Sequence, residues 1–492
     1  MTKNKKKGYV GGIHLIGICG AGMSALAILL KEAGYKVTGS DQNFYEPILG
    51  YLKKNKITFY KKYNQENIPK DVDLIVIGKH AKLTPKENKE VKKAFALQKK
   101  GIEVKSLPET LSMLTRKKKN IVVVGSYGKS TCSALLAWCL IQNKKDPSYF
   151  IGAVPIDFNQ SSHLGTGKEF VLEGDEYPAS NWDDTSKFLY FNPLSVLLIS
   201  AEHDHLNVFP TERSYKEPYK KFVAKIPKNG LLVFNQEAKN NKELAQYAKS
   251  KKVSYALSKT DSANGASWYA KNIKYGAETS FDLMRKDKKI IHIKTKLLGN
   301  HNIENIIGCG ALLLENKTIP AQNFTRAVAN FQGIKRRIEL KTLGHSRTGE
   351  AKNSSIPVYE GFGSSYEKTK VIFDALTLHF PKKRIVAIFE PHTFSWRNRA
   401  ALKWYKNIFD GVGEVILLPP PEHGKNTHDQ LTFNEIYNEV KKYVSARQAT
   451  TEKEALAIVR KIIKKGDLVV LVSSGSLLGL AESVPRLMER LF

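Results

Sequence analysis

Cysteine is scarce. The 492 residues hold four, Cys19, Cys132, Cys139 and Cys309, and no two of them form a C-x-x-C pair. This spacing excludes a disulfide framework and offers no zinc-knuckle pattern; it fits a reducing compartment. Long apolar runs are missing too, since no stretch approaches the roughly 18 residues needed to cross a bilayer. The basic start, Met1 to Lys7, leads into a strand pattern rather than the apolar segment of a secretion signal. The expectation is a cytoplasmic chain with no membrane span. Acidic residues are outnumbered 47 to 78, a net charge of +31, which in clustered form would point to nucleic acid. The basic runs Arg116-Lys-Lys-Lys119 and Lys249-Ser-Lys-Lys252 are short and carry no interleaved aromatics. They read as solvated helix and linker faces, so no nucleic-acid partner is expected, and the charge reads as attraction for polyanionic small substrates. Internal repeats are absent as well.

What is present is a succession of apolar strands that break on glycine or polar tips. Ile121-Val-Val-Val-Gly-Ser-Tyr-Gly-Lys-Ser-Thr131 is a strand that ends in glycines and delivers Lys129, Ser130 and Thr131 to a helix start. A helix start presents free N–H groups and a partial positive charge, glycines admit phosphate oxygens, lysine adds charge and a serine hydroxyl can hold Mg²⁺. The segment therefore reads as a nucleotide-phosphate loop formed by Gly125, Ser126, Gly128, Lys129, Ser130 and Thr131, although Val123 stands where such loops carry their first glycine. Upstream, the strand Ile13–Ile16 leads into Gly20-Ala21-Gly22-Met23-Ser24-Ala25, a G-x-G-x-x-A turn, and a second strand closes on Ser40 and Asp41. That is a dinucleotide-like fold signal.

Two further strands end in chemistry: Phe170–Glu173 opens Glu173-Gly-Asp-Glu176, and Ser195–Ile199 leads to Glu202-His-Asp-His205. In a parallel sheet the strand ends share one rim, so Lys129, Glu173 and His205 are expected to face one crevice. There Glu173 would be an oxygen ligand of a hard cation, and His205 a nitrogen ligand or the group that orients a metal-bound water. Asn302 or Asn305, at the start of an apolar helix, could pair with an adenine edge, and one of Arg336 and Arg337 could clamp a phosphoryl group. Strands at 384–389, 414–418 and 467–472 complete a third alternating unit. The predicted architecture is α/β in three domains: a Rossmann-like parallel sheet over 1–115, a central P-loop ATPase-like domain over 116–332 and a C-terminal Rossmann-like domain over 333–492.

Taken in order, these motifs resemble the Mur ligase family of ATP-dependent enzymes that build the peptide stem of peptidoglycan. The segments carrying the likeness are Gly17-Ile-Cys-Gly-Ala-Gly-Met with Gly39-Ser-Asp41, then Gly125 to Thr131, Glu173 to Glu176, Asp204-His205, Gly299-Asn-His-Asn302 with Asn305, and Arg336-Arg337. The resemblance implies ATP and Mg²⁺ as cofactors and UDP-N-acetylmuramate as the carboxylate substrate. It implies Lys129, Glu173, His205 and Arg337 as catalytic groups, and Ser130, Glu173 and His205 as metal ligands. ATP would also meet Asn302, Asn305, Arg337 and Glu360, while Gly20, Ala21, Gly22, Met23, Ser24, Ser40 and Asp41 would hold the UDP-sugar.

The implied acceptor is a murein tripeptide, from local likenesses at Gly152-Ala-Val-Pro155, Asp175-Glu-Tyr177 to Ser186-Lys-Phe-Leu189 and Ser474-Gly-Ser-Leu-Leu-Gly479. L-Alanine is the alternative, suited by Gly22-Met-Ser24 and Glu390-Pro-His-Thr-Phe-Ser395. His392, Arg397 and Arg399 would hold that amine. The third unit departs from the family: Glu360-Gly-Phe-Gly-Ser-Ser-Tyr366 has lost one acid and both histidines of the usual motif, leaving Glu360 as the sole acidic candidate. Lys220, at the distance of a lysine that some members carbamylate, is expected to be a surface residue. A nicotinamide-dependent oxidoreductase would account for the first glycine turn and Asp41, but it leaves the phosphate loop and Glu173 unused. A weakened member kept for binding is the reading that the Glu360 to Tyr366 departures suggest.

Overall fold

Strands buried on both faces read as unbroken apolar runs, and Ile121 to Val124 and Leu468 to Val472 are buried throughout. The computed structural model describes residues 11–46, 48–204, 208–258, 265–341, 356–421 and 429–491. Within them the strands assemble into three sheets. The first has five parallel strands in the spatial order Thr58–Tyr60, Lys36–Ser40, Gly12–Ile16, Val72–Ile77 and Glu103–Ser106. This 3-2-1-4-5 order is the Rossmann half-fold, whose ligands sit at the carboxyl ends of the strands where the order reverses. Its helices are signalled locally: Asn88 caps helix Lys89–Gln98 by accepting from the Glu90 and Val91 amides, and Ser106 and Glu109 form a capping box on Leu107–Thr115.

The central sheet has ten strands. Ser195–Leu198, Lys119–Val124 and Glu169–Glu173 lie side by side and parallel, so the three motif-bearing strand ends share one rim. Ser148–Phe150 follows, paired antiparallel with the edge strand Ser162–His163. On the other flank come Leu231–Asn235 and Lys251–Tyr255, also parallel. The third sheet runs Arg337–Leu340, Val358–Gly361, Leu468–Val472, Ile385–Phe389, Glu414–Leu417 and Ala446–Gln448, parallel except for its first strand.

The chain packs into two compact units. One comprises 1–272, 281–293 and 304–331; the other comprises 273–280, 294–303 and 332–492. The first sheet and most of the central sheet belong to the former, where one hydrophobic cluster runs from Leu15 and Leu26 through Val122 and Leu172 to Phe222 and another gathers Ile16, Ile75 and Val91. Ser162 Oγ donates to the Ala25 carbonyl and Leu164 N to Glu32, and both contacts bind the central edge strands to helix Ala21–Glu32. Among the described residues no helix is long and apolar enough to cross a membrane.

Candidate active site

The phosphate loop is shaped by two glycines in left-handed backbone. Gly125 has φ +148°, and a Cβ there would lie 2.8 Å from the Ser200 N and O atoms; Gly128, at φ +80°, is the N-cap of helix Lys129–Gln142. No side chain caps that helix, which leaves its first turn without a side-chain acceptor, the local arrangement that suits an anion. Ser126 N donates to the Ser200 carbonyl, and the Ser126 hydroxyl bonds the Glu202 carbonyl and the Tyr215 hydroxyl. These contacts stitch the loop to the end of the neighbouring strand. Asn305 Oδ1 packs against Gly128 and accepts from the Cys132 thiol at 3.2 Å.

Lys129 Nζ is held by the Gly125 carbonyl at 2.6 Å and by both oxygens of Glu176, at 2.8 and 3.1 Å. Burial works against the lysine charge, but Glu176 beside it wins, and the ammonium stays above its ordinary pKa. Ser130 Oγ donates to Glu173 at 3.0 Å, and Gly152 N donates to the other oxygen of Glu173 at 2.8 Å. Burial pushes the Glu173 carboxyl up despite the pull of Lys129. A cation that enters and neutralises that burial cost is favoured.

Ser130 and Glu173 form an oxygen-only set, which suits a hard cation such as Mg²⁺. Among the described residues no three His, Cys, Asp or Glu side chains gather as a ready-made metal centre. His205 lies outside the described residues.

Glu176, not Glu173, is the acid that pairs with Lys129. The signal was the quartet Glu173-Gly-Asp-Glu176, whose turn places both acids by the loop. Asp175 fixes that turn: it pairs with Lys187 at 2.5 Å, its carbonyl accepts from Phe188 N, and its carboxylate accepts from Tyr177 N. Lys187 outweighs burial and keeps the Asp175 carboxyl below its usual range. Lys220 stacks over the Tyr247 ring at 4.4 Å on helix Glu212–Ala224.

In the first sheet the glycine turn folds back on the second strand. Gly17 N and Ile18 N donate to the Ser40 carbonyl, and Cys19 N donates to Asp41 at 2.8 Å. Asp41 also accepts from Gln42 N and from the Tyr63 hydroxyl. Its carboxylate thus braces the turn that starts helix Ala21–Glu32. Gly20 and Ala21 remain at the helix mouth, whereas Gly22 packs on Leu107 and Met23 on Gly78. Ser24 is buried and donates to the Ala21 carbonyl, and the Ser40 hydroxyl turns inward to Glu90.

The second unit holds the remaining candidates. Asn302 is buried and donates to the Leu298 carbonyl. Arg337 opens the edge strand Arg337–Leu340 with its guanidinium 5.0 Å from the Phe362 ring. Burial and then Arg337 push the neighbouring His301 down to about 4. Glu360 is buried and engaged by Arg336 at 2.9 Å and Lys341 at 3.3 Å. His392 bonds Glu390, whose other oxygen accepts from Ser473 Oγ and Leu477 N. Arg397 is buried against the Pro421 carbonyl and Gln430, and Arg399 pairs with Asp429 and Glu435.

Residues 12–119 match the catalytic domain of the Mur ligase family, and residues 123–313 match the Mur ligase middle domain. UDP-N-acetylmuramate--L-alanine ligase of Dictyoglomus turgidum is 30% identical over 479 residues, 96% of each chain. The chain belongs to the Mur ligase family. Escherichia coli UDP-N-acetylmuramate--L-alanyl-gamma-D-glutamyl-meso-2,6-diaminoheptandioate ligase is 28% identical over 83% of this chain and 85% of its own. The crystal structure of the Thermotoga maritima UDP-N-acetylmuramate-alanine ligase superposes with a TM-score of 0.74, covering 98% of this chain and 99% of that one at 21% identity. That likeness shows the fold. As a Mur ligase, this chain is an ATP-dependent, amide-forming peptidoglycan ligase.

Proposed function

We propose that this Mur ligase activates the lactyl carboxylate of UDP-N-acetylmuramate with ATP and joins it to the free amine of a murein tripeptide. A carboxylate oxygen attacks the γ-phosphorus and ADP leaves. The amine nitrogen then attacks the carbonyl carbon of the acyl phosphate, inorganic phosphate leaves, and the amine gives up its proton. One arrangement carries the reading: Lys129, drawn between Gly125 and Glu176, beside the Ser130–Glu173 oxygen pair at an uncapped helix start.

Lys129 neutralises phosphoryl oxygens in a site where buried charge acts strongly. Ser130 and Glu173 would hold Mg²⁺, which supplies positive charge between two mutually repelling anions. Glu176 keeps the Lys129 ammonium charged and aimed.

The tripeptide acceptor is supported by the folded turn from Asp175 to Lys187, the segment whose sequence resembles the tripeptide ligases, and by the Escherichia coli relative. The Dictyoglomus relative, matched over nearly the full length, supports L-alanine as a second reading. Phosphate release and product mass, measured with UDP-N-acetylmuramate, ATP and either L-alanine or L-alanyl-γ-D-glutamyl-meso-diaminopimelate, decide between them. Preference for the tripeptide is expected. Preference for alanine replaces the acceptor, and no phosphate release with either amine overturns the ligase mechanism.

A further inference from the structure

Behind the first sheet lies a buried polar hub that none of the proposed chemistry uses. His14, Ser40 and Glu90 have no exposed surface, and Thr38 is almost fully covered. They sit beside an otherwise apolar half-core of Ile16, Ile75, Ile77, Val91 and Ala94. Glu90 Oε1 accepts from His14 Nε2 at 2.7 Å and from Ser40 Oγ at 2.8 Å. Its Oε2 accepts from Asn64 N at 2.9 Å and from Asn67 Nδ2 at 3.3 Å. A carboxylate only accepts, so the His14 proton lies on Nε2, and in the neutral ring Nδ1 accepts from the Thr38 hydroxyl at 2.7 Å.

A buried carboxylate is costly unless its oxygens are satisfied, and apolar packing of the same volume is often at least as stable. What this hub supplies is geometry. Through Ser40 it grips the residue whose carbonyl receives the Gly17 and Ile18 amides. Through Asn64 it grips the loop carrying Tyr63, whose hydroxyl meets Asp41, and Asp41 in turn holds Cys19 N. One carboxylate thereby sets the glycine turn, the end of the second strand and the loop beside it.

We infer that Glu90, braced by His14 and Thr38, is a positioning residue for the sugar-nucleotide pocket, and that Tyr63 and Asp41 form the wall it aligns. This rests on the reading that the glycine turn and Asp41 receive the UDP moiety. The test is titration of UDP alone, by calorimetry, into wild type, Glu90→Gln and Thr38→Val. These are paired with steady-state KM values for UDP-N-acetylmuramate and ATP and with thermal melts.

Glu90→Gln sets an amide NH₂ against donors and should weaken UDP binding roughly tenfold or more, as expected for lost hydrogen bonds to a charged group. KM for the UDP-sugar should rise in step, with kcat at saturation and KM for ATP unchanged. Thr38→Val, which removes only the brace on His14, should shift the same quantities in the same direction by a smaller factor. If Glu90→Gln does not fold, Thr38→Val decides alone. UDP affinity equal to wild type in folded variants overturns the inference, as does a uniform loss of kcat with KM untouched, or wild type that fails to bind UDP. Wild type that binds UDP through this hub but releases no phosphate from ATP would sink the ligase mechanism and leave the positioning role standing.

Discussion

The crevices of the central and third sheets are built by the same rule and treat charge in opposite ways. In the central sheet the strand ends gather Lys129, Ser130, Glu173 and Glu176 around an uncapped helix start, and the glycines keep bulk away. In the third sheet the cations are consumed internally. Arg336 is bound to Glu360 and to the Ser473 and Gly475 carbonyls, and Arg397 to a carbonyl and a glutamine side chain. In the central crevice Lys129 and Ser130 are paired with carboxylates at the mouth of an uncapped helix, whereas in the third sheet the arginines hold loop carbonyls. Topology alone does not separate the two.

The comparison breaks most readily at Lys129. Lys129→Ala should lower phosphate release by roughly 100- to 1,000-fold. It should also lower the melting temperature, because Glu176 is left buried without its cation. The double variant Lys129→Ala/Glu176→Gln removes that orphaned charge and should recover stability without recovering turnover. Recovered activity would show that the pair is structural.

Arg336→Ala should act on the fold. It leaves Glu360 with Lys341 as its partner and releases two loop carbonyls, a loss of about 3 kcal/mol in a denaturant titration. A loss well under 1 kcal/mol would mean that the third crevice is as open as the central one.

The limits of the sequence have physical causes here. Strand runs, the glycine turns and the shared rim of Lys129 and Glu173 were legible because burial on both faces and left-handed backbone leave marks in composition. Which acid meets Lys129 was not, since Glu173 and Glu176 differ only by the path of a turn that Asp175 and Lys187 fix through space. Arg336 and Arg337 look alike on paper. The backbone at Arg336 (φ 62°) and Ile338 (φ 55°) is left-handed, and the register slips between Arg337 and Glu339. This bulge sends the first guanidinium to Glu360 and sets both beside the Phe362 ring. The hub around Glu90 was invisible because its members are scattered from residue 14 to residue 90, and each alone resembles an ordinary polar residue.

Glu304 sharpens the central side through pH. Burial, then the nearby Glu237 and Glu202, raise its carboxyl from 4.5 to about 7. A carboxyl whose folded pKa is raised binds protons more tightly in the native state. Its cost to stability is therefore absent below about 4.5, accrues as pH rises toward about 7 and is full above that. Glu304→Gln removes that cost. Denaturant titrations should show the variant gaining on wild type by on the order of 2 kcal/mol between pH 4.5 and pH 8. A constant difference across that range would refute the assignment.

The smallest effect is expected at Arg399, an exposed cation of the third sheet's unit. Its guanidinium is half exposed and already bridges Asp429 and Glu435, themselves accessible. Exposed pairs of this kind hold little free energy because water and salt screen them. Arg399→Gln should leave the melting temperature within error and change KM for the amine by no more than about twofold. A larger rise in that KM at unchanged stability would mean that the arginine exchanges its carboxylates for the acceptor's own, and the contrast between the two crevices would then narrow to Arg336 and Arg397.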